Sequence, residues 1–161
     1  MRIGVISDTH DNTRNVARIV AVLRAARVDR VIHTGDITRA DTLRVLAALE
    51  VPLFGVYGNN DRDRDLLGGA AADLGFELVE PPLELHWAGR RITVVHDRQA
   101  HRSLSLHGRD VLLHGHDHRY SLERVNGTLI FNPGECAGWL EGANSVGVLD
   151  LVSLESERLR F

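Results

Sequence analysis

Two hydrophobic periods alternate through the first half of the chain. Short apolar, β-branched runs predict strands at 2–7, 30–35 and 53–58. In the segments that follow, apolar residues recur at helical spacing, as Val16, Ile19 and Leu23 do in the first and Leu43 and Leu46 do in the second. A weaker helix is predicted at 61–75. This alternation of strands and helices indicates a βαβαβ unit with parallel strands.

The pattern changes after Phe76, where strand-like segments follow one another without intervening helices. Asn126 and Gly127 separate two β-rich runs, which is the strongest short-range signal for a hairpin. Further strands are predicted on both sides of 88–89, at 110–115, at 145–153 and at 156–161. The second half is therefore mostly β, and the chain is either an α/β domain of two sheets or one large mixed sheet.

Length and charge narrow the class of protein. At 161 residues the chain is expected to form one domain, 1–161. A formal charge of −3, with acids and bases interspersed, predicts no strong nucleic-acid surface. No apolar run approaches the ~20 residues of a membrane helix or matches a secretory signal, and the single cysteine, Cys136, agrees with a reducing compartment. We expect a cytoplasmic protein without a membrane partner, and homo-oligomer formation is left open.

Candidate chemistry is concentrated just beyond the predicted strands. The side chains with metal-binding atoms at these strand ends are Asp8, His10, Asp36, Asn59, His96, His116 and His118. The carboxyl ends of parallel strands meet at one edge of a sheet, where α/β proteins bind ligands, so these side chains should converge. Gly35, Gly58 and Gly115 directly precede three of them and are expected to permit sharp turns there.

Seven candidate ligands exceed what one tetrahedral zinc ion requires. They suit two metal ions that share a bridging carboxylate. Mixed imidazole, carboxylate and amide ligation favours manganese, iron, cobalt, nickel or zinc over calcium or magnesium alone. The sequence therefore predicts two divalent transition-metal ions per chain, with manganese as the first choice.

The order of the short motifs resembles that of the calcineurin-like metallophosphoesterase superfamily. The motifs are SDTH at 7–10, GD at 35–36, GNND at 58–61, an isolated His96 and GHDH at 115–118. FNPG at 131–134 adds a likeness to the small bacterial and archaeal phosphodiesterase branch. The resemblance implies a four-layer α-β-β-α sandwich of two mixed β-sheets flanked by helices. It also implies hydrolysis of small or cyclic phosphodiesters by a hydroxide that bridges two divalent metals.

The resemblance further implies a role for each motif residue. One metal would be held by Asp8, His10, Asp36 and His118, and the other by Asp36, Asn59, His96 and His116, so that Asp36 bridges them. The implied catalytic positions are Asp8, Asp36, Asn59 and Asn60. The implied substrate is a small-molecule phosphoester.

Two positions depart from the family pattern. Asn60 stands where many members have a histidine that protonates the leaving oxygen, which an amide cannot do near neutral pH. Asp97 follows His96 where the family usually has glycine, so it is expected either to contact a ligand or to reshape the loop. His33 and His114 lie in strands and are expected to be buried or to support the ligands rather than bind metal.

Two alternative functions remain open at this point. A phosphomonoesterase or protein phosphatase would use the same chemistry, but the absence of a histidine at position 60 weighs against alkyl leaving groups. A non-catalytic binding module on the same fold is known from a eukaryotic trafficking subunit with an incomplete metal site. The presence of all seven candidate ligands in this chain weighs against that reading.

Overall fold

The computed structural model describes residues 1–161 and contains two β-sheets and three α-helices. The first half contains β1 (Arg2–Ile6), α1 (Thr13–Ala25), β2 (Arg30–His33), α2 (Ala40–Leu46), a 3₁₀ turn (Ala47–Leu49), β3 (Leu53–Val56), α3 (Arg64–Asp73) and β4 (Glu77–Val79). The second half contains β5 (Leu83–Trp87), β6 (Arg90–Val94), β7 (Val111–Leu113), β8 (Ser121–Val125), β9 (Thr128–Asn132), β10 (Ser145–Asp150) and β11 (Ser156–Arg160).

The first sheet has the strand order β11-β10-β1-β2-β3-β4. Strands β1 to β4 are parallel to one another, whereas β10 is antiparallel to β1 and β11 is antiparallel to β10. The predicted βαβαβ unit is therefore confirmed. Strand β4 was not expected from the sequence, because a run of three residues is too short to show a period.

The second sheet has the strand order β5-β6-β7-β9-β8, with β6, β7 and β9 parallel and both outer strands antiparallel. The predicted hairpin at Asn126–Gly127 is present, and both turn residues have positive φ, 51° and 88°. Ala88 and Gly89 form the other hairpin turn with φ of 50° and 74°. Two consecutive left-handed residues match the twist of the flanking strands.

The main core lies between the two sheets. Alternate residues of β7 and β9, such as Val111 and Phe131, pack against Ile3 and Val5 of β1, and all four are fully buried. A second core, which includes Ile19 of α1, covers the opposite face of the first sheet. Burial of two sheet faces against each other and of one against helices confirms the predicted α/β sandwich.

The outer face of the second sheet is covered differently from the expectation of flanking helices. Leu104 and Leu106 pack on Leu112 and Ile130, but the segment 97–109 that carries them forms turns rather than a helix. All three α-helices belong to the first half of the chain. The longest helix, α1, has 13 residues, and no helix combines the length and hydropathy needed to cross a bilayer.

Candidate metal centre

The loops that follow β1, β2, β3, β6 and β7 bring all seven predicted ligands into one cluster. The contacts that connect them run His118–His10, His10–Asp36, Asp36–His96, His96–Asn59 and Asn59–His116, with Asp8 beside His118. The expected convergence at the carboxyl ends of the strands is thus observed. Both sheets contribute, because the loops after β6 and β7 face those after β1 to β3.

The first part of the cluster contains Asp8, His10 and His118. The Nε2 atoms of the two histidines lie 3.3 Å apart, and Nε2 of His118 lies 3.7 Å from Oδ1 of Asp8. That carboxylate oxygen is buried and has no hydrogen-bond partner. A buried acceptor without a donor is costly, whereas a cation among these three atoms would satisfy all of them.

The second part contains Asn59, His96 and His116. Oδ1 of Asn59 lies 2.9 Å from Nε2 of His96 and 3.0 Å from Nδ1 of His116, and the two ring nitrogens are 3.3 Å apart. Nδ1 of His96 lies 2.9 Å from the carbonyl oxygen of Thr34, which can only accept, so the proton of a neutral His96 belongs on Nδ1. Its Nε2 lone pair then faces the amide oxygen, an arrangement that a cation between them would stabilise.

These spacings fit a metal ion. Ligand atoms about 2.0–2.1 Å from an ion stand roughly 2.8–3.4 Å from one another, the shorter distances in octahedral and the longer in tetrahedral geometry. The nitrogen–nitrogen distances of 3.3 Å in both parts fall in this range. The donor set, imidazole with carboxylate and amide oxygens, is also the one that first-row divalent metals take.

Asp36 lies between the two parts. Its Oδ2 is 3.4 Å from Nε2 of His10 and 3.5 Å from Nε2 of His96. Asp8 is also close to both parts, since its ligand oxygen lies within 4.8 Å of the ligand atoms of Asp36 and His96. Two carboxylates at the boundary provide negative charge where two cations would be closest.

Five of the seven candidate ligands have left-handed backbone conformations: Asp8, His10, Asp36, His116 and His118 have φ of 51°, 42°, 60°, 76° and 54°. Such conformations are disfavoured for residues other than glycine and persist only when the surroundings impose them. Here the backbone N–H of Asp8 donates to the carbonyl of Gly35, and that of His10 donates to the carbonyl of Asp36. Strain concentrated at one cluster is typical of a functional site.

The glycines before the ligands serve two different purposes. Gly35 has a φ of 108° and fits the predicted sharp turn. Gly58 and Gly115 have no positive φ; instead, a Cβ at Gly58 would overlap the side chain of Asp36, and one at Gly115 would overlap Ser7 and Asp8. For these two positions the expected reason was wrong, because close approach of the backbone is what excludes a side chain.

Asp61 organises the loops around Asp36, a role that the sequence interpretation did not assign. It is buried, and its carboxylate accepts the backbone N–H groups of Asp36 at 3.0 Å, Gly58 at 2.7 Å and Thr38 at 2.6 Å. Burial raises the pKa of Asp61, and the N–H groups oppose this shift. The acid that ends the GNND motif was the available signal.

Asp8 is held by its neighbour Ser7 and by the loop after β7. Its Oδ2 accepts the hydroxyl proton of Ser7 and the backbone N–H of His116, the latter at 3.0 Å. Burial raises the pKa of Asp8, while these hydrogen bonds and the nearby His96 and His118 oppose the shift. The free Oδ1 therefore points toward the cluster with a fixed orientation.

His33 and His114 are buried and lie outside the two groups of candidate ligands, as expected. Nδ1 of His33 accepts the N–H of Gly35 at 3.1 Å, so its Nε2 carries the proton and donates to Oγ1 of Thr9 at 3.1 Å. Burial lowers the pKa of His33 to about 3 and also lowers the pKa of His114. Neutral His33 thereby ties the loop after β1 to that after β2.

Asp97 combines the two roles that its unusual position suggested. Its Oδ2 lies 3.9 Å from Nε2 of His116, and its Oδ1 accepts the N–H of Gln99 at 2.7 Å. It therefore contacts a candidate ligand and also shapes the turn that follows β6.

Asn60 donates two hydrogen bonds to Asp36. Its backbone N–H donates to Oδ1 at 2.8 Å, and its side-chain amide donates to Oδ2 at 2.7 Å. Both oxygens of the predicted bridging carboxylate are thus held by one residue.

Comparison with known proteins agrees with the family that the sequence motifs resemble. Residues 1–154 match the model of the calcineurin-like phosphoesterase superfamily domain. Phosphodiesterase MJ0936 of Methanocaldococcus jannaschii is 30% identical over 154 residues, which are 93% of this chain and 93% of that protein. A solved archaeal phosphodiesterase has a TM-score of 0.92 at 27% identity, with all of both chains covered.

A further solved structure shares the fold at lower sequence identity. Vps29 from Entamoeba histolytica, solved in complex with zinc, has a TM-score of 0.67 at 21% identity, covering 99% of this chain and 98% of that one. This likeness concerns the backbone architecture.

Proposed function

The chain belongs to the calcineurin-like phosphoesterase superfamily, and from this premise we propose that it is a metal-dependent phosphodiesterase acting on small or cyclic phosphodiesters. The observation that carries the proposal is the convergence of seven oxygen- and nitrogen-bearing side chains in two adjoining groups. The similarity to phosphodiesterase MJ0936 supports a diester as the substrate.

We assign one metal ion to Asp8, His10, Asp36 and His118, and a second to Asp36, Asn59, His96 and His116. Two ions held so would neutralise phosphate oxygens and lower the pKa of a water molecule that attacks phosphorus. We take manganese as the first choice, with nickel, iron, cobalt or zinc as alternatives, because mixed imidazole, carboxylate and amide ligation suits first-row divalent metals in general.

The protein's own residues define what else the site can do. Asp61 accepts the backbone N–H of Asp36, and Asn60 donates two hydrogen bonds to its carboxylate. The predicted bridging group therefore has one orientation. The amide of Asn60 can donate a hydrogen bond but cannot transfer a proton near neutral pH. The leaving oxygen must therefore depart without a proton from position 60, which favours aryl diesters over alkyl monoesters.

The test is a leaving-group series. Purified protein with Mn²⁺ is assayed against aryl phosphodiesters whose phenols span several pKa values, and against the matching monoesters. We expect diesters with good leaving groups to react fastest, and Asn60→His to raise turnover of poor leaving groups more than that of good ones. An acid in the correct place contributes about 10²–10⁴-fold.

The control is His114→Ala, which removes a buried histidine that is not a candidate ligand. No hydrolysis of any diester with Mn²⁺, Ni²⁺, Co²⁺, Fe²⁺ or Zn²⁺ by folded protein would refute the proposal. A preference for monoesters would favour the phosphomonoesterase alternative instead.

A further inference from the structure

A large aromatic side chain lies exposed beside the candidate metal centre. Trp139 belongs to the connection between β9 and β10, and 64% of its surface is exposed. Its indole stacks on the imidazole of His118, with ring centres 4.6 Å apart and planes 13° apart. The ring of His10 is 4.3 Å away. One face of the indole thus covers two candidate ligands, and much of the remainder faces solvent.

The loop that carries Trp139 is held firmly. The carboxylate of Glu135, which is buried, accepts the backbone N–H groups of Trp139 and Leu140, both at 2.8 Å. The side chain of Asn12 donates to the carbonyl of Ala137 at 2.7 Å, and that of Asn15 donates to the carbonyl of Cys136 at 3.0 Å. These hydrogen bonds hold the loop in the conformation that exposes the indole.

Glu135 also connects the loop to the candidate ligands. Its Oε1 lies 3.8 Å from Nδ1 of His118, a buried nitrogen that has no hydrogen-bond partner. The loop and the candidate metal centre consequently share one buried carboxylate, which fixes the position of Trp139 relative to His118.

We propose that Trp139 is a stacking platform for a planar aromatic ring on the substrate, a nucleobase or an aryl group attached through the ester that does not leave. This inference rests on the proposed function and names the substrate class for it. An exposed indole offers a π-face on which any planar ring can stack. Such stacking does not depend on which hydrogen-bonding groups the ring carries. One face of the Trp139 indole packs on His118, so the opposite face is the one that would bind that ring.

The structure also offers a competing role, in which Trp139 only shields His10 and His118 from water. The two roles differ in what they affect. A shield acts on metal binding and therefore on every substrate equally, whereas a platform acts only on substrates that carry a ring on the ester that does not leave.

The experiment compares three diesters that share the p-nitrophenolate leaving group: the thymidine 5′ ester, the phenyl ester and the methyl ester. Wild type, Trp139→Leu and Trp139→Phe are assayed with Mn²⁺. We expect Trp139→Leu to lower kcat/KM for the thymidine and phenyl esters about 5- to 150-fold, mainly through KM, because stacking on an aromatic side chain contributes about that factor. The methyl ester should change less than about twofold, and Trp139→Phe should retain most of the preference.

Leu140→Ala is the matched control, because Leu140 is 54% exposed, lies in the same loop and has no ring. It should leave all three substrates within about twofold of wild type. Loss on the thymidine ester alone supports a nucleobase, and loss on both ring esters supports any planar ring. An equal loss on all three, or no loss, overturns the platform.

A binding measurement separates this inference from the proposed function. The chain has two tryptophans, so Trp87→Phe leaves Trp139 as the single indole reporter. Thymidine 5′-monophosphate with Zn²⁺ should quench its emission, and methyl phosphate should not. Quenching in a protein that hydrolyses no diester would retain the platform and refute the proposed function. Hydrolysis of the thymidine ester without quenching by thymidine 5′-monophosphate would do the opposite.

Discussion

Replacing Asp61 by alanine should destabilise the fold and the candidate metal centre together. Its carboxylate is the acceptor for three backbone N–H groups, those of Asp36, Gly58 and Thr38. Each buried N–H left without an acceptor costs about 1–3 kcal/mol. The N–H groups of Asp36 and Gly58 are buried and that of Thr38 is partly buried, so the loss in the free energy of unfolding should be at least about 2 kcal/mol. For a chain of this length that corresponds to a fall in Tm of at least roughly 4–8 °C.

The isosteric change Asp61→Asn isolates the hydrogen bonds from the volume. An amide has one acceptor oxygen. Its NH₂ group must therefore face either the N–H of Thr38 or the N–H groups of Gly58 and Asp36, which are donors and cannot accept from it. The expected loss is smaller than that of alanine but still above about 1 kcal/mol. Asp65→Asn is the control, since Asp65 is exposed and such surface changes stay within about 0.5 kcal/mol.

The assays are thermal unfolding of metal-free protein and titration of folded protein with Mn²⁺. Because Asp61 holds the backbone N–H of Asp36, its loss should also weaken Mn²⁺ binding about 10- to 100-fold, the usual effect of removing a group that orients a ligand. An Asp61→Ala variant with the Tm and the Mn²⁺ affinity of wild type would refute the reasoning.

Three further outcomes are expected. Mn²⁺ titration should saturate near two ions per chain, and Asp36→Asn should weaken both ions; saturation at one ion with Asp36→Asn unaffected would contradict a bridge. His116→Ala and His118→Ala should each lower activity at least about 10²-fold, whereas His114→Ala should lower it far less in folded protein. Burial lowers the pKa of His33 to about 3 from an ordinary 6.5. Below pH 6.5 the unfolded chain therefore binds a proton at this histidine, whereas the folded chain does not. Metal-free wild type should therefore lose about 2 kcal/mol more stability than His33→Gln between pH 7 and pH 5, and equal pH profiles would contradict this.

Much of the candidate metal centre could be predicted because its geometry follows from strand direction. Asp8, Asp36 and Asn59 come directly after parallel strands, and parallel strands that share a sheet end at the same edge. His96 and His116 follow two parallel strands of the second sheet, and packing of the two sheets brings the two edges together. A local rule about strand ends thus predicted contacts between residues far apart in the sequence.

The parts that could not be predicted depend on tertiary contacts without a local pattern. Glu135 and Trp139 lie in a connection with no period, and their proximity to His118 results from hydrogen bonds to Asn12 and Asn15 of the α1 region. The turn-rich cover of the second sheet has the same origin. Segment 97–109 contributes isolated apolar residues that pack without forming a periodic face.

The contacts of Asn60 give this residue a role that its position in the sequence did not indicate. From the sequence it is a missing proton donor, but in the structure it is a hydrogen-bond donor to both oxygens of Asp36. These two hydrogen bonds orient the carboxylate that would be shared by both ions. The amide can donate a hydrogen bond, but it cannot protonate the leaving group near neutral pH. Position 60 therefore supports the proposed bridging group and supplies no acid, and the lack of an acid there favours diesters with good leaving groups.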